Sequence, residues 1–208
     1  MFLFWIIALV IALSVHEYAH ARVADELGDP TPRLTGRLTL NPLAHLDPIG
    51  TIALLIFHFG WGKPVIIDPY NLKNPRRDQA LIALAGPVSN FLTVLLFTGI
   101  YYLGVYFFPP LNSPLFFLFT ITIVIMNLGL GIFNLLPFGP LDGAKVLLGF
   151  LPHHLAQEWE ETLGQYSLIL LLLFFLPLAG GRSILSLTLG SLVNFIINLL
   201  FPTSQLLF

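Results

Sequence analysis

The sequence predicts an all-α polytopic membrane protein, and three observations carry that reading. Hydrophobic residues make up 56% of the 208-residue chain and charged residues only 10%, where a soluble domain carries about 25%. Mean hydropathy is +0.86. Several uncharged runs reach the roughly 20 apolar residues that a spanning helix needs. So few charges cannot cover a water-facing surface of this size, which excludes a soluble globular domain, and so much apolar content excludes a disordered chain. Net charge is −2, and nine Lys and Arg are too few and too scattered for a nucleic-acid footprint. The expected partners are a lipid bilayer and what lies in it, with no nucleic acid. There is no Cys, so disulfides, thiolate metal sites and a cysteine nucleophile are excluded.

The elements follow in order. Met1–Val15 is uncharged, and its helical pattern continues through His16, Glu17 and His20 to about Ala24. It lacks the positive n-region of a signal peptide and reads as a retained span. Ile49–Gly60 is apolar but too short to cross, as a re-entrant or interfacial segment would be. Leu81–Phe108 is a second span, closed by the breakers Pro109, Pro110, Asn112 and Pro114. Leu115–Leu136 is a third, closed by Pro137, Gly139 and Pro140. Thr162–Gly181 and Ser183–Phe208 are the fourth and fifth. The expectation is about five transmembrane helices plus the re-entrant segment. No repeat or linker divides the chain, so residues 1–208 read as one membrane domain, with a core at 1–151 and additional helices at 152–208.

The first connection also carries a predicted β element. Arg33-Leu34-Thr35-Gly36-Arg37-Leu38-Thr39-Leu40 alternates polar and apolar with period two, as a half-buried strand does. Val65-Ile66-Ile67 is a second, shorter candidate. Eight of the nine basic residues fall in this connection or, as Lys145, on its side of the bilayer; Arg182 falls opposite. The positive-inside rule then places the connection in the cytoplasm, the N-terminus outside and the C-terminus inside. The expected localisation is the plasma membrane of a bacterium or archaeon, with the site described next facing the cytoplasmic side.

His16-Glu17-Tyr18-Ala19-His20 is HExxH. Residues four apart share a helix face, so both imidazoles can reach one ion. Zinc accepts imidazole nitrogen in tetrahedral geometry. Glu17 sits about 100° round the helix from His16, where it can take a proton from water activated by the metal. In a soluble helix the same motif often marks only a solvated face. Here three ionisable residues sit late in an apolar span, each costing on the order of 2.5–3.5 kcal/mol at mid-bilayer. A metal site offsets that cost. Catalytic zinc needs a third protein ligand and an open position. His16 lies about 24 Å along a helix that starts outside, so the third ligand must come from the cytoplasmic end of another span. Asp142, the one acid between Asp78 and Glu158, follows the inward-running third span. It reads as the third ligand or as an N-cap for Gly143–Leu151, and one carboxylate can serve near both.

HEYAH in the first span and Leu141-Asp142-Gly143 after a Pro-broken span resemble the site-2 protease family of intramembrane zinc metalloproteases. The resemblance extends to Gly86-Pro87-Val88-Ser89-Asn90, to Gly36-Arg37-Leu38-Thr39-Leu40-Asn41-Pro42 and to Phe59-Gly60-Trp61-Gly62-Lys63-Pro64-Val65. It covers residues 1 to about 150; the last two spans carry no matching motif. It implies one Zn2+ on His16, His20 and Asp142, with Glu17 as general base. It implies hydrolysis of a peptide bond in or beside a substrate's transmembrane segment. Some members carry a PDZ or CBS domain. No stretch here is long enough for either, so the expected form is a compact one, regulated through a partner or through substrate presentation. Lys145 follows Gly143-Ala144 where the family often has Gly-Arg.

A substrate helix must unwind before it can be cut, and its freed backbone groups need partners in lipid. The Arg33–Leu40 strand is the expected edge for that pairing, or else a surface hairpin. An oxyanion needs a donor. Asn134 and Asn90 are candidates, and both also suit interhelical packing. The resemblance places Asn134 near the metal. Asn127, Asn194 and Asn198 read as packing residues, and His45, His58, His153 and His154 as outside the site. Two other readings compete: a transporter using His16, Glu17 and His20 as a relay, and a non-cleaving relative that binds membrane helices. The paired broken spans of many transporters are absent, and the intact Glu17 argues against the non-cleaving form.

Overall fold

The computed structural model describes residues 1–50, 52, 62–177, 181 and 183–202. Among these the chain is mostly helical and contains no sheet. The helices that build the molecule are α1 (Phe2–Glu26), α2 (Thr31–Leu34), α3 (Pro75–Phe107), α4 (Pro114–Asn134), α5 (Asp142–Phe150), α6 (His153–Phe175) and α7 (Ile184–Leu200).

Helix α1 runs unbroken because Phe2–Glu26 contains neither Gly nor Pro. Its buried residues Ala8, Ala12, His16, His20 and Ala24 lie four apart and form one stripe. Helices α3 and α4 both pack against α1. Alanines on the stripe let the backbones come close, which is how helices associate where no hydrophobic drive separates lipid from protein. Gly28, at φ +109°, turns the chain out of α1, a conformation that costs other residues about 1–2 kcal/mol.

Helix α3 starts at Pro75, where the Asp78 carboxylate accepts a hydrogen bond from Asn74 N at 2.8 Å. Pro87 sits inside it beside Gly86. Helix α4 starts at Pro114, with the Ser113 hydroxyl accepting from Phe116 N at 3.3 Å. It stops at Asn134, three residues before Pro137, as a proline beyond a helix end dictates. Helix α5 then packs back on α3. Gly149 meets Ala80 there, where a side chain would not fit. Phe201, at the end of α7, is buried against Tyr101 and Tyr102 at ring distances of 5.6 and 5.9 Å. The Tyr102 hydroxyl donates to Leu200 O at 2.7 Å.

Three helices, α1, α3 and α4, are long and apolar enough to cross a membrane, against about five expected. The difference lies in the last third. Helix α6 takes in the polar Glu158–Glu161 stretch and ends at Phe175, two residues short of Pro177, so its apolar part is short. Helix α7 is apolar but only 17 residues long. The re-entrant segment expected over Ile49–Gly60 falls largely outside the described residues.

The predicted β element is corrected. Arg33–Leu40 is no strand: Thr31–Leu34 is a helical turn and the residues after it are turns and bends. The cause is local. Pro32 occupies the first turn, and the Asp29 carboxylate accepts from Thr31 N at 3.1 Å. Gly36 at φ +71° ends the turn. Arg33 pairs with Asp25, and Arg37 folds inward to donate to the Ala44 carbonyl. Both arginines are therefore engaged along a loop, and the period-two pattern carries no pleat. Val65-Ile66-Ile67 pairs with no strand among the described residues. The nearest ladder-like contact is one isolated antiparallel bridge, Leu46 to Gly62.

Candidate metal centre

His16 and His20 lie on the buried stripe of α1, 3% and 8% exposed. Their rings meet edge to face with centroids 4.5 Å apart. Each ring is held from behind through Nδ1. His16 Nδ1 lies 2.7 Å from Asn90 Oδ1, and His20 Nδ1 donates to the Ile82 carbonyl at 2.7 Å. A neutral imidazole that donates through Nδ1 presents a bare lone pair at Nε2. The two Nε2 atoms face each other at 3.0 Å. Asp142 Oδ2 closes the triangle, 3.1 Å from His16 Nε2 and 3.2 Å from His20 Nε2. Three lone-pair donors converging on one point repel unless a cation lies among them. Tetrahedral zinc at 2.0–2.1 Å sets its ligand atoms about 3.3 Å apart, close to this triangle. The donor set and its spacing fit zinc. Among the described residues these three form the one group of His, Asp and Glu side chains able to share an ion.

Asp142 opens α5, with Leu141 at the N-cap position. The carboxylate lies in the first turn, where the helix dipole favours negative charge. Gly143 is required beside it. A side chain there would run into the Leu135 and Leu136 backbone, so the tight turn out of α4 delivers Asp142 only with glycine next to it.

Glu17, half-buried, shares a cavity of about 180 Å3 with His16, His20, Asp142, Asn134, Gln79 and Lys145. Its Oε2 accepts from Val65 N at 3.1 Å. Pro64, Val65 and Ile67 form part of the same wall, while Ile66 is exposed. Asn134 lines the cavity, and its amide donates to Leu130 O of its own helix at 3.0 Å.

The remaining sequence candidates are placed elsewhere. Asn90 is fully buried behind His16, so it serves the imidazole and is no donor into the cavity. Asn127 lies behind Asn90 at 2.9 Å. His45 is fully buried in the first connection, and His153 and His154 are exposed. Sequence reasoning passes over the hold of Asn90 on His16 and of Val65 on Glu17. The first had a signal: Asn90 is one turn from Gly86 on the same face of α3. The second had none, because a backbone amide has no residue signature.

A family model, Peptidase family M50, matches residues 110–175, which include Asn134 and Asp142. The chain is 38% identical to "Putative zinc metalloprotease YwhC" of Bacillus subtilis, over 84% of this chain and 81% of the relative. It is 30% identical to "Putative zinc metalloprotease Rip2" of Mycobacterium tuberculosis, over 83% of this chain and 66% of the relative. It is 28% identical to "Zinc metalloprotease MJ0392" of Methanocaldococcus jannaschii, over 72% of this chain and 35% of the relative. No solved structure matches significantly. With three spanning-length apolar helices and a relative matched along four-fifths of its length, this chain is an integral membrane protein that belongs to peptidase family M50, the site-2 protease family of zinc metalloproteases.

Proposed function

We infer that the protein is a zinc-dependent endopeptidase that hydrolyses a peptide bond in or beside a transmembrane segment of a membrane-protein substrate. One observation carries this reading: the His16, His20 and Asp142 donor triangle shares a cavity with the Glu17 carboxylate, at the polar end of an apolar helix. The site lies on the cytoplasmic side, where eight of nine basic residues gather. The setting is the plasma membrane, and α6 and α7 complete the bundle as a fourth and fifth crossing. A regulatory partner is expected.

His16, His20 and Asp142 hold one zinc ion, which when bound acidifies water and polarises a carbonyl. Glu17 accepts the proton of the attacking water and passes it to the departing amine. Val65 N holds the carboxylate in place for both tasks. Asn134, which lines the same cavity, turns its amide to the developing oxyanion. An unwound substrate lies along Pro64–Ile67, whose remaining backbone groups supply partners for those freed from the substrate helix.

The test is to quantify zinc in the purified protein and to compare wild type with Glu17→Gln on a transmembrane substrate. The expected result is near-stoichiometric zinc in both and cleavage in wild type alone. Cleavage by Glu17→Gln would remove Glu17 from the mechanism; absence of zinc from wild type would end the reading.

A further inference from the structure

We propose that Asn90 and Asn127 form an amide relay that decides which nitrogen of His16 faces the metal position, making Asn90 a positioning residue for zinc binding. The inference deepens the zinc reading above and rests on it.

The relay starts at two backbone carbonyls, which only accept hydrogen bonds. Ile123 O lies 2.9 Å from Asn127 Nδ2. That contact orients the Asn127 amide, so its Oδ1 points at Asn90. Asn90 Nδ2 meets this oxygen at 2.9 Å and Ala12 O at 3.0 Å, which uses both of its hydrogens. Turning the Asn90 amide over would set oxygen against oxygen twice. Its Oδ1 is therefore committed to His16 Nδ1 at 2.7 Å. An acceptor there requires the hydrogen on Nδ1 and leaves Nε2 bare, towards His20 and Asp142.

Asn90 and Asn127 are both fully buried among spanning helices, so no water competes for these bonds. A purely structural asparagine pair would tie α3 to α4 and stop. This pair ends on a candidate ligand and reaches the carbonyl one turn before it on α1. Each of the three spanning helices supplies one part: Ala12 and His16 from α1, Asn90 from α3, Asn127 and Ile123 from α4. Loss of an outer partner that orients a ligating histidine lowers metal affinity by roughly 10–100-fold.

The experiment uses the full-length protein in detergent, with zinc affinity read by chelator competition and His16 read by nitrogen NMR of zinc-free protein at mildly alkaline pH. Zinc-free wild type is expected to show His16 with its hydrogen on Nδ1; the opposite tautomer as the main form overturns the relay. Asn90→Ala is expected to lose roughly 10–100-fold in zinc affinity. Asn127→Leu leaves Asn90 free to turn and is expected to give mixed tautomers with a smaller zinc loss. Leu128→Ala, an equally buried change on α4, is expected to bind zinc as wild type does. Wild-type affinity in Asn90→Ala, or equal losses in Asn90→Ala and Leu128→Ala, overturns the proposal. Failure of wild type to bind zinc would fall on the zinc reading instead, and the tautomer of the zinc-free protein would still decide the relay.

Discussion

Gly86 and His20 are so close that a Cβ on the glycine would lie 2.5 Å from both Cε1 and Nε2 of the ring, and 2.6 Å from Cε1 of His16. The missing side chain is the space both imidazoles occupy. It also brings α3 near enough for the Ile82 carbonyl to take the His20 hydrogen bond.

Gly86→Ala should therefore displace the imidazoles without opening the bundle. The expected outcome is a loss of zinc affinity of at least tenfold and of cleavage with it, while helical content stays unchanged. Chelator competition and circular dichroism check this together. Wild-type zinc binding in the alanine variant would show that the rings move aside freely.

Val65 separates base positioning from metal binding. Proline at 65 removes the N–H that Glu17 Oε2 accepts, whereas Val65→Ala keeps it. Val65→Pro should bind zinc normally and lose at least tenfold in kcat. Val65→Ala should retain most of its rate. Equal rates in the two variants would take Val65 N out of the mechanism.

Asp29 sets a pH dependence outside the membrane. Its carboxylate is fully buried and accepts from Thr31 N, Asp68 N at 2.8 Å and Asn71 Nδ2 at 2.9 Å. Burial alone would raise its pKa; these hydrogen bonds outweigh it and lower the pKa below 3.8. A carboxyl whose pKa is lower folded than unfolded contributes stability above the unfolded value, and that stability is lost as pH falls through the folded value. Asp29→Asn should cost roughly 1–3 kcal/mol at neutral pH. The gap in Tm between variant and wild type should shrink as pH falls from about 5 towards 2. A gap independent of pH would show that Asp29 gives packing and no charge-dependent hydrogen bonding.

Tyr102 isolates the last helix. Tyr102→Phe removes the hydrogen bond to Leu200 O and keeps the ring against Phe201. It should lower stability by about 1 kcal/mol and leave zinc content and cleavage unchanged. Loss of zinc would couple α7 to the metal centre, which α1, α3, α4 and α5 otherwise build among themselves.

Composition and spacing by themselves determined the membrane class, the helices α1, α3 and α4, and the candidacy of His16, Glu17, His20 and Asp142. Each is a local property: an apolar run long enough to cross, breakers that end it, a four-residue step that shares a face. Tertiary structure decided what no local pattern carries. Arg33–Leu40 alternates like a strand, yet the chain turns at Asp29 and Pro32, and Arg37 reaches the Lys63 carbonyl, 26 residues further on. Asn90 reads from its surroundings as an oxyanion donor or as packing, and only the approach of α1 at Gly86 sets its oxygen on His16. Glu17 is fixed by a main-chain amide from 48 residues further on. Periodicity describes what a segment offers to its neighbours. Which neighbour accepts depends on how closely the backbones approach, and here glycines and alanines on α1, α3 and α5 govern that distance.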